Sequence, residues 1–190
     1  MRITSGILRN RRLTVPKQEV RPTMESVREA VFSSLGGSCE GRKVLDLFAG
    51  SGALGLEAAS RGAESVTFVE AHRPTADLLK KNTENVRPAG VDCGMKVQTL
   101  KTEAYLRTPA GPFDLILIDP PYAFYDNETA LHGLWEHLRQ PGWLSEEALV
   151  VVEHPKRTEP GCGEGWSVLK RKDYGGTLVS FVEVVRSSRS

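Results

Sequence analysis

From residue 43 onward, short apolar runs alternate with segments of helical periodicity. The runs at 44–48, 65–69, 96–100, 115–118 and 149–153 predict strands, and the segments at 53–61, 74–86, 103–106 and 127–139 predict helices. Such alternation implies an α/β fold, a doubly wound and mostly parallel sheet with helices on both faces. The last two extended runs, 166–169 and 178–185, have no helix between them, so we expect them to form a C-terminal antiparallel hairpin.

The first 42 residues precede this pattern and differ from it in charge. Residues 1–43 carry nine basic and four acidic side chains, whereas the remaining chain carries 16 basic and 20 acidic ones. Residues 2–15 predict a small β-hairpin, 16–22 a loop, and Thr23 the N-cap of a helix that ends at Gly36 and Gly37. We therefore expect two parts, a basic extension over 1–42 that meets an anionic partner and a globular domain over 43–190.

Composition excludes several classes of protein. The longest apolar runs are about six residues, against the roughly 20 that a membrane helix needs. Residues 1–20 contain no apolar stretch typical of a signal peptide. Cys39, Cys93 and Cys162 are odd in number and widely spaced, which argues against a disulfide framework and favours the cytoplasm. The histidines are scattered and no CxxC occurs, so we expect no metal site.

A glycine-rich loop follows the first strand of the alternating region. Gly50, Gly52 and Gly55 form a GxGxxG pattern between a predicted strand and a predicted helix, the context in which this pattern indicates a nucleoside cofactor. Glu70, 20 residues after Gly50, ends the second strand, where a carboxylate can accept hydrogen bonds from a ribose diol.

Two cofactors fit this loop, a nicotinamide dinucleotide and S-adenosylmethionine. Asp46 lies at the end of the first strand, where its charge opposes the pyrophosphate of a dinucleotide. The methyl donor has no phosphate and carries an ammonium and a sulfonium, so Asp46 favours S-adenosylmethionine.

A second motif, Asp119-Pro120-Pro121-Tyr122, follows the apolar strand at 115–118. The carboxyl ends of parallel strands form the ligand crevice of such a sheet, which places this motif beside the glycine loop. Asp119 and the Pro120 carbonyl supply two acceptors, and Tyr122 supplies a planar face. Together they predict a slot for a planar group that bears an NH₂, such as a nucleobase. Acceptors on both amine hydrogens would direct the nitrogen lone pair toward a sulfonium methyl group.

These motifs resemble those of the class I S-adenosylmethionine-dependent methyltransferases that act on nucleobase amines. The segment VLDLFAGSGALGLEAASRGA at 44–63, Glu70 and the DPPY motif carry this resemblance. More narrowly, the chain resembles the RsmD-type family of small-subunit ribosomal RNA guanine-N(2) methyltransferases. That match includes the opening residues Arg2, Ile3 and Gly6, the Arg11-Arg12-Leu13 and Arg21-Pro22-Thr23 segments, and Tyr174-Gly175 with Thr177.

The resemblance implies a Rossmann-like sheet of seven strands and assigns roles to individual residues. It implies donor binding by the loop residues Asp46, Phe48, Gly50, Ser51, Gly52 and Gly55, ribose binding by Glu70, and catalysis by Asp119, Pro120, Pro121 and Tyr122. Family members often place an Asp or Asn against the adenine after the third strand. Glu103 is the candidate for that contact here.

The basic extension is expected to hold RNA. A base buried in folded RNA must be extruded before its amine can react, and protein contacts must offset that cost of a few kcal/mol. The residues predicted to contact phosphates are Arg9, Arg11, Arg12, Arg21 and Arg28. The expected partner is 16S ribosomal RNA or the assembling small ribosomal subunit, and the expected state is a monomer.

Three alternatives stay open at the level of sequence. An adenine-N6 methyltransferase acting on DNA or another RNA would share the DPPY chemistry. An NAD-dependent oxidoreductase would share the glycine loop but leaves DPPY unexplained. A non-catalytic RNA-binding module would share the basic extension but leaves the donor site unexplained.

Overall fold

The structure, a computed structural model, describes residues 1–16, 25–87 and 90–186. Its strands are β1 Lys43–Leu47, β2 Ser65–Val69, β3 Gly94–Gln98, β4 Phe113–Ile118, β5 Leu144–Pro155, β6 Trp166–Asp173 and β7 Thr177–Val184. They form a seven-stranded sheet in the order β3-β2-β1-β4-β5-β7-β6. The first five strands in that order are parallel, whereas β7 runs antiparallel to β5 and β6 antiparallel to β7. The predicted α/β fold and its reversed final hairpin are confirmed.

Helices cover both faces of the sheet. They are α1 Glu25–Ser34, α2 Ala53–Ser60, α3 Arg73–Val86, α4 Thr102–Tyr105 and α5 Glu128–Arg139, and a 3-10 helix spans Tyr122–Asp126. Alternate residues of β1 face opposite layers: Val44 packs in a buried cluster with α1, α2 and α3, and Leu45 packs with α4 and α5. Burial on both faces explains why the central strands read as continuous apolar runs.

Two strands are longer than the sequence predicts. β5 begins at Leu144, not at 149, and β6 continues to Asp173, not to 169. The added part of β5 contains the exposed residues Glu146 and Glu147, and most of β6 is exposed because it forms the edge of the sheet. Polar residues on an exposed strand interrupt the apolar pattern on which the prediction depended.

The N-terminal segment forms a shorter hairpin than the predicted one. The two ends of this segment pair antiparallel, through an isolated bridge between Arg2 and Arg12 and through backbone hydrogen bonds from Ile3 to Arg11, from Asn10 to Ile3 and from Leu13 to Met1. Ile3, Leu8 and Leu13 are buried in the same cluster as Val44 of β1. The segment is therefore a compact turn packed on the body of the protein. Residues 17–22 of the predicted loop and the predicted cap at Thr23 lie outside the described residues.

Hydrogen bonds to α2 hold this turn in place. Glu57, with no exposed surface, accepts hydrogen bonds from both N–H and Oγ1 of Thr4, from the N–H of Ser5 and from Arg61. A Cβ on Gly6 would lie 1.8 Å from the carbonyl oxygen of Ser60, so only glycine permits this approach. Within the described ranges, no helix is long and apolar enough to cross a membrane.

Candidate active site

Two adjoining cavities open at the carboxyl ends of β1, β2 and β4. The first has a volume of about 540 Å³ and the second about 800 Å³. Phe48, Gly50, Asp119 and Pro121 line both cavities. The two motifs predicted to act together are therefore brought together, since the glycine loop and the DPPY segment form a common wall.

The glycine loop depends on unusual backbone conformations. Phe48 has a φ of 59°, Gly50 of 55° and Gly52 of 85°, all in the left-handed region that favours glycine. A Cβ on Gly55 would lie 2.3 Å from Cε1 of Phe68 and 2.8 Å from Oδ2 of Asp46. Gly50 and Ser51 line the first cavity, while Gly52 and Gly55 lie behind it and shape the turn.

Asp46 is buried beneath this loop, with 1% of its surface exposed. Its Oδ2 accepts a hydrogen bond of 2.9 Å from the N–H of Gly55, one of the free donors in the first turn of α2. Burial raises the pKa of Asp46 well above its ordinary value, and the charges of Asp119 and Glu70 raise it further, while the Gly55 hydrogen bond lowers it. Because a nearby cation stabilises the ionised form, this site favours a positively charged ligand group.

Glu70 is oriented by two backbone donors. Its Oε2 accepts a hydrogen bond of 2.9 Å from the N–H of Gly50, and its Oε1 accepts one of 2.7 Å from the N–H of His72. Each carboxylate oxygen can accept a further hydrogen bond, and Glu70 lines the second cavity. Glu103 lines the same cavity from the first turn of the short helix α4. Its contact with an adenine stays a prediction.

The DPPY segment spans the rim between β4 and the 3-10 helix. Asp119 is half-buried, Pro120 buried and Pro121 exposed, and all three line the first cavity with Tyr122. Two residues further on, the ring of Phe124 meets that of Phe48 edge-on, with 4.9 Å between the centroids. This aromatic pair connects the DPPY segment to the glycine loop.

The predicted RNA-contacting arginines separate into three groups. Arg9, Arg11 and Arg12 are exposed on the N-terminal turn. Arg21 lies outside the described residues. The assignment of Arg28 is wrong, because its side chain is buried with 1% exposure and donates a hydrogen bond of 2.7 Å to the carbonyl oxygen of Arg2. An arginine enclosed in this way is positioned to hold the N-terminal segment and not to meet a phosphate.

Several cavity residues are absent from the sequence prediction. Met1 and Glu153 line the first cavity, and Pro16, His72 and Thr75 line the second. Glu153 lies on the strand next to the DPPY strand, and a signal for it was available in the sequence, a carboxylate near the end of an apolar run. No local pattern indicates Met1 or Pro16, because they reach the site through the fold of the N-terminal segment.

In the part of the chain that the structure describes, no group of three or more His, Cys, Asp or Glu side chains could hold a metal ion. The strand order, the glycine loop and the adjoining DPPY segment together define the architecture of the class I methyltransferases.

Comparison with known proteins narrows this class to one family. Residues 1–183 match the model of the family described as Conserved hypothetical protein 95, and the chain belongs to that family. It is similar to ribosomal RNA small subunit methyltransferase D of Haemophilus influenzae, with 36% identity over 184 residues that cover 95% of this chain and 91% of the relative. The protein of the same name from Escherichia coli strain K12 is 34% identical over 181 residues, covering 92% and 85%.

A solved structure agrees with this assignment. That of yhhF from Escherichia coli matches with a TM-score of 0.83 and 31% identity, covering 98% of this chain and 99% of the other. The RsmD-type resemblance predicted from the motifs is confirmed.

Proposed function

We propose that this protein transfers a methyl group from S-adenosylmethionine to the N2 amine of a guanine in small-subunit ribosomal RNA. The observation that carries the proposal is the wall common to the two cavities, to which Asp119 of the DPPY motif and Gly50 of the glycine loop both belong. A donor that extends from Glu70 in the second cavity across this wall to Asp46, with a base beside the DPPY motif in the first cavity, would place the reacting groups side by side.

The donor side of the site fits S-adenosylmethionine. Glu70, held by the N–H groups of Gly50 and His72, would accept hydrogen bonds from the ribose hydroxyls. Burial raises the pKa of Asp46, and the positive charges of the donor would stabilise its ionised form. A dinucleotide would place a pyrophosphate over the same carboxylates, which disfavours the oxidoreductase alternative. When bound, S-adenosylmethionine supplies a methyl group activated by the positively charged sulfur.

The acceptor side fits a nucleobase amine. The carboxylate of Asp119 and the carbonyl of Pro120 would accept the two amine hydrogens, and the ring of Tyr122 would stack on the base. Holding the hydrogens in this way directs the nitrogen lone pair away from the ring. Asp119 then accepts the proton that the nitrogen releases after methylation, so it need not be a strong base.

The RNA substrate is inferred from the relatives and from charge. The similar proteins of Haemophilus influenzae and Escherichia coli carry the name ribosomal RNA small subunit methyltransferase D. The exposed Arg9, Arg11 and Arg12 belong to the segment whose Met1 and Pro16 line the two cavities. We infer that this segment over 1–42 grips 16S ribosomal RNA, free or in an assembling subunit, while 43–190 performs catalysis. The monomeric state and the cytoplasmic location stay predictions.

Guanine is preferred to adenine because the narrower family resemblance is to guanine-N(2) methyltransferases. The adenine-N6 alternative shares the DPPY chemistry. The base that receives the methyl group is therefore identified from the methylated product.

The experiment is an Asp119→Ala variant assayed on small ribosomal subunits that lack the modification. We expect methyl transfer to fall below detection while the affinity for S-adenosylhomocysteine stays within about threefold of wild type, because Asp119 acts on the acceptor. Loss of both would contradict the assigned role and make Asp119 a structural residue of the donor site.

A further inference from the structure

Glu153 is the carboxylate nearest in strand register to Asp119. The pairing of the parallel strands β4 and β5 ends with Ile118 opposite Val152. The next residues are Asp119, directly after the end of β4, and Glu153, inside β5. Neighbouring strands lie about 4.8 Å apart, and residues at matching positions project to the same face of the sheet. Both residues line the first cavity. The cavity that holds the catalytic motif therefore has a second carboxylate on its wall.

The backbone of Glu153 is held on two sides. Tyr125, in the 3-10 helix that follows DPPY, donates a hydrogen bond of 2.8 Å from its hydroxyl to the carbonyl oxygen of Glu153. On the other side, Glu153 pairs with Val179 of β7. Because Tyr125 is buried and belongs to the helix that begins with Tyr122, this hydrogen bond fixes Glu153 relative to the DPPY segment. These contacts hold the backbone of Glu153, so its side chain starts from a fixed position beside Asp119.

The chemistry of guanine explains what such a pair of carboxylates would recognise. The N1–H and the N2 amine lie next to each other on the Watson–Crick edge, and both are donors. Adenine presents a bare N1 there, which is an acceptor. Enzymes that extrude a base read this edge by hydrogen bonds. A carboxylate beside Asp119 would therefore attract guanine and repel adenine.

We propose that Glu153 is a specificity-determining residue that accepts a hydrogen bond from N1–H of the target guanine, while Asp119 accepts from its N2 amine. This inference rests on the proposed function and deepens it, because it assigns the choice of guanine to one side chain. It also explains how a DPPY motif, whose chemistry suits either base, is restricted to guanine in this protein.

The test compares two bases that both carry an amine at C2. Guanine has a hydrogen on N1, whereas 2-aminopurine has a bare N1. Each is placed at the target nucleotide of a 16S ribosomal RNA assembled into small subunits, and kcat/KM is measured for wild type and for Glu153→Gln. Glutamine keeps the size of the side chain and gains an N–H that can donate to a bare N1. Glu147→Gln, which removes an exposed carboxylate at the other end of β5, is the matched control.

We expect wild type and Glu147→Gln to prefer guanine, and Glu153→Gln to reduce that preference by roughly 5- to 150-fold, the range for loss of one good base contact. The absence of O6 from 2-aminopurine affects all three proteins alike, so the change in preference reports on N1. An unchanged preference in Glu153→Gln would overturn the inference and leave the proposed function standing. Failure of wild type to methylate guanine would instead overturn the proposed function and the inference with it.

A second measurement keeps the test decisive if Glu153→Gln transfers no methyl group. The fluorescence of 2-aminopurine reports its binding in the site without turnover, and subunits carrying guanine compete for that binding. A weakened competition by guanine, relative to wild type, supports the role of Glu153, and competition equal to that of wild type contradicts it. Binding of S-adenosylhomocysteine at wild-type affinity shows that the variant is folded.

Discussion

The side-chain amide of Asn82 donates a hydrogen bond of 2.9 Å to the carbonyl oxygen of Ser51, which ties helix α3 to the glycine loop. The same amide nitrogen donates to the carbonyl oxygen of Thr14 at 2.9 Å, and the amide oxygen accepts from the N–H of Thr14 at 3.0 Å. Asn82 is 1% exposed. One buried side chain therefore joins the N-terminal segment to the glycine loop. It holds Thr14, which lies two residues before Pro16, a residue that lines the second cavity.

Replacing Asn82 with alanine should loosen both attachments. The buried carbonyl of Ser51 loses its partner, so we expect a loss of about 1–3 kcal/mol in the free energy of unfolding. Affinity for S-adenosylhomocysteine should fall about tenfold, the equivalent of 1.4 kcal/mol spent on ordering the loop. Thermal unfolding and calorimetric titration measure the two effects. Asn85→Ala, on the exposed face of the same helix, should lower neither the stability nor the affinity, and equal losses in the two variants would contradict the role of Asn82.

Asp46→Asn should separate stability from donor binding. The raised pKa of Asp46 means that the folded protein binds this proton more tightly than the unfolded chain. The contribution of Asp46 to the free energy of unfolding is therefore complete below its ordinary pKa of about 4. It is lost as the pH rises through the raised pKa of the folded state. We expect the ligand-free variant to melt above wild type at pH 8, with the difference closing toward pH 4.

The same variant should bind S-adenosylhomocysteine roughly 10- to 150-fold more weakly, because it lacks the charge that meets the amino group of the ligand. Asp77→Asn, an exposed carboxylate on α3, is the control. A melting difference that stays constant with pH would contradict the account of Asp46.

Gly55→Ala tests the close packing beneath the glycine loop. The added methyl group would meet the Phe68 ring at 2.3 Å and the Asp46 carboxylate at 2.8 Å, and overpacking of this kind costs typically about 1–3 kcal/mol. We also expect weaker donor binding, because Asp46 must move. Gly133→Ala is the matched control, since a Cβ there meets nothing within 4 Å and alanine is favoured in a helix by about 1 kcal/mol. We therefore expect opposite shifts in melting temperature for the two variants, and shifts of the same sign would contradict the close packing at Gly55.

Neutralising Arg9, Arg11 and Arg12 together should weaken RNA binding and its dependence on salt. Each phosphate contact contributes about one unit or slightly less to the slope of log K against log salt concentration, so the slope should become shallower by about two to three. A triple variant of the exposed residues Lys81, Arg107 and Lys170 carries the same charge change elsewhere. If the salt dependence became shallower by the same amount in both triple variants, the N-terminal segment would have no special role in RNA binding.

The sheet could be predicted from the sequence because its central strands are apolar on both faces. The predicted strand at 65–69 coincides with β2, and the predicted reversal of the last strand is present. The boundaries of β5 and β6 could not be predicted, since Glu146, Glu147 and the edge position of β6 break the apolar pattern. The hairpin prediction for 2–15 was right about the antiparallel pairing of the two ends, but the backbone between them could not be predicted, because contacts with Glu57 and Ser60, more than 50 residues away, determine it.

The site residues could be predicted where their positions follow from a local sequence motif and the strand beside it. Asp46 lies near the end of β1, and Gly50 and Asp119 follow β1 and β4, whose ends meet at one edge of the sheet, so the strand pattern alone predicts that the three residues converge. Arg28 could not be interpreted locally, because its partner is the carbonyl of Arg2 in another segment. Asn82 is a polar residue on the buried face of α3, and Glu153 a carboxylate near the end of an apolar run, and each becomes informative only when its neighbours are known.

The most direct test of the central claim is the identity of the methylated nucleoside. Small ribosomal subunits from cells that lack the gene are incubated with the purified protein and isotopically labelled S-adenosylmethionine, and the 16S ribosomal RNA is digested and analysed by mass spectrometry. We predict that the label appears as N2-methylguanosine at one position, and that Asp119→Ala transfers none. Label in N6-methyladenosine, or in no nucleoside of the ribosomal RNA, would contradict the account.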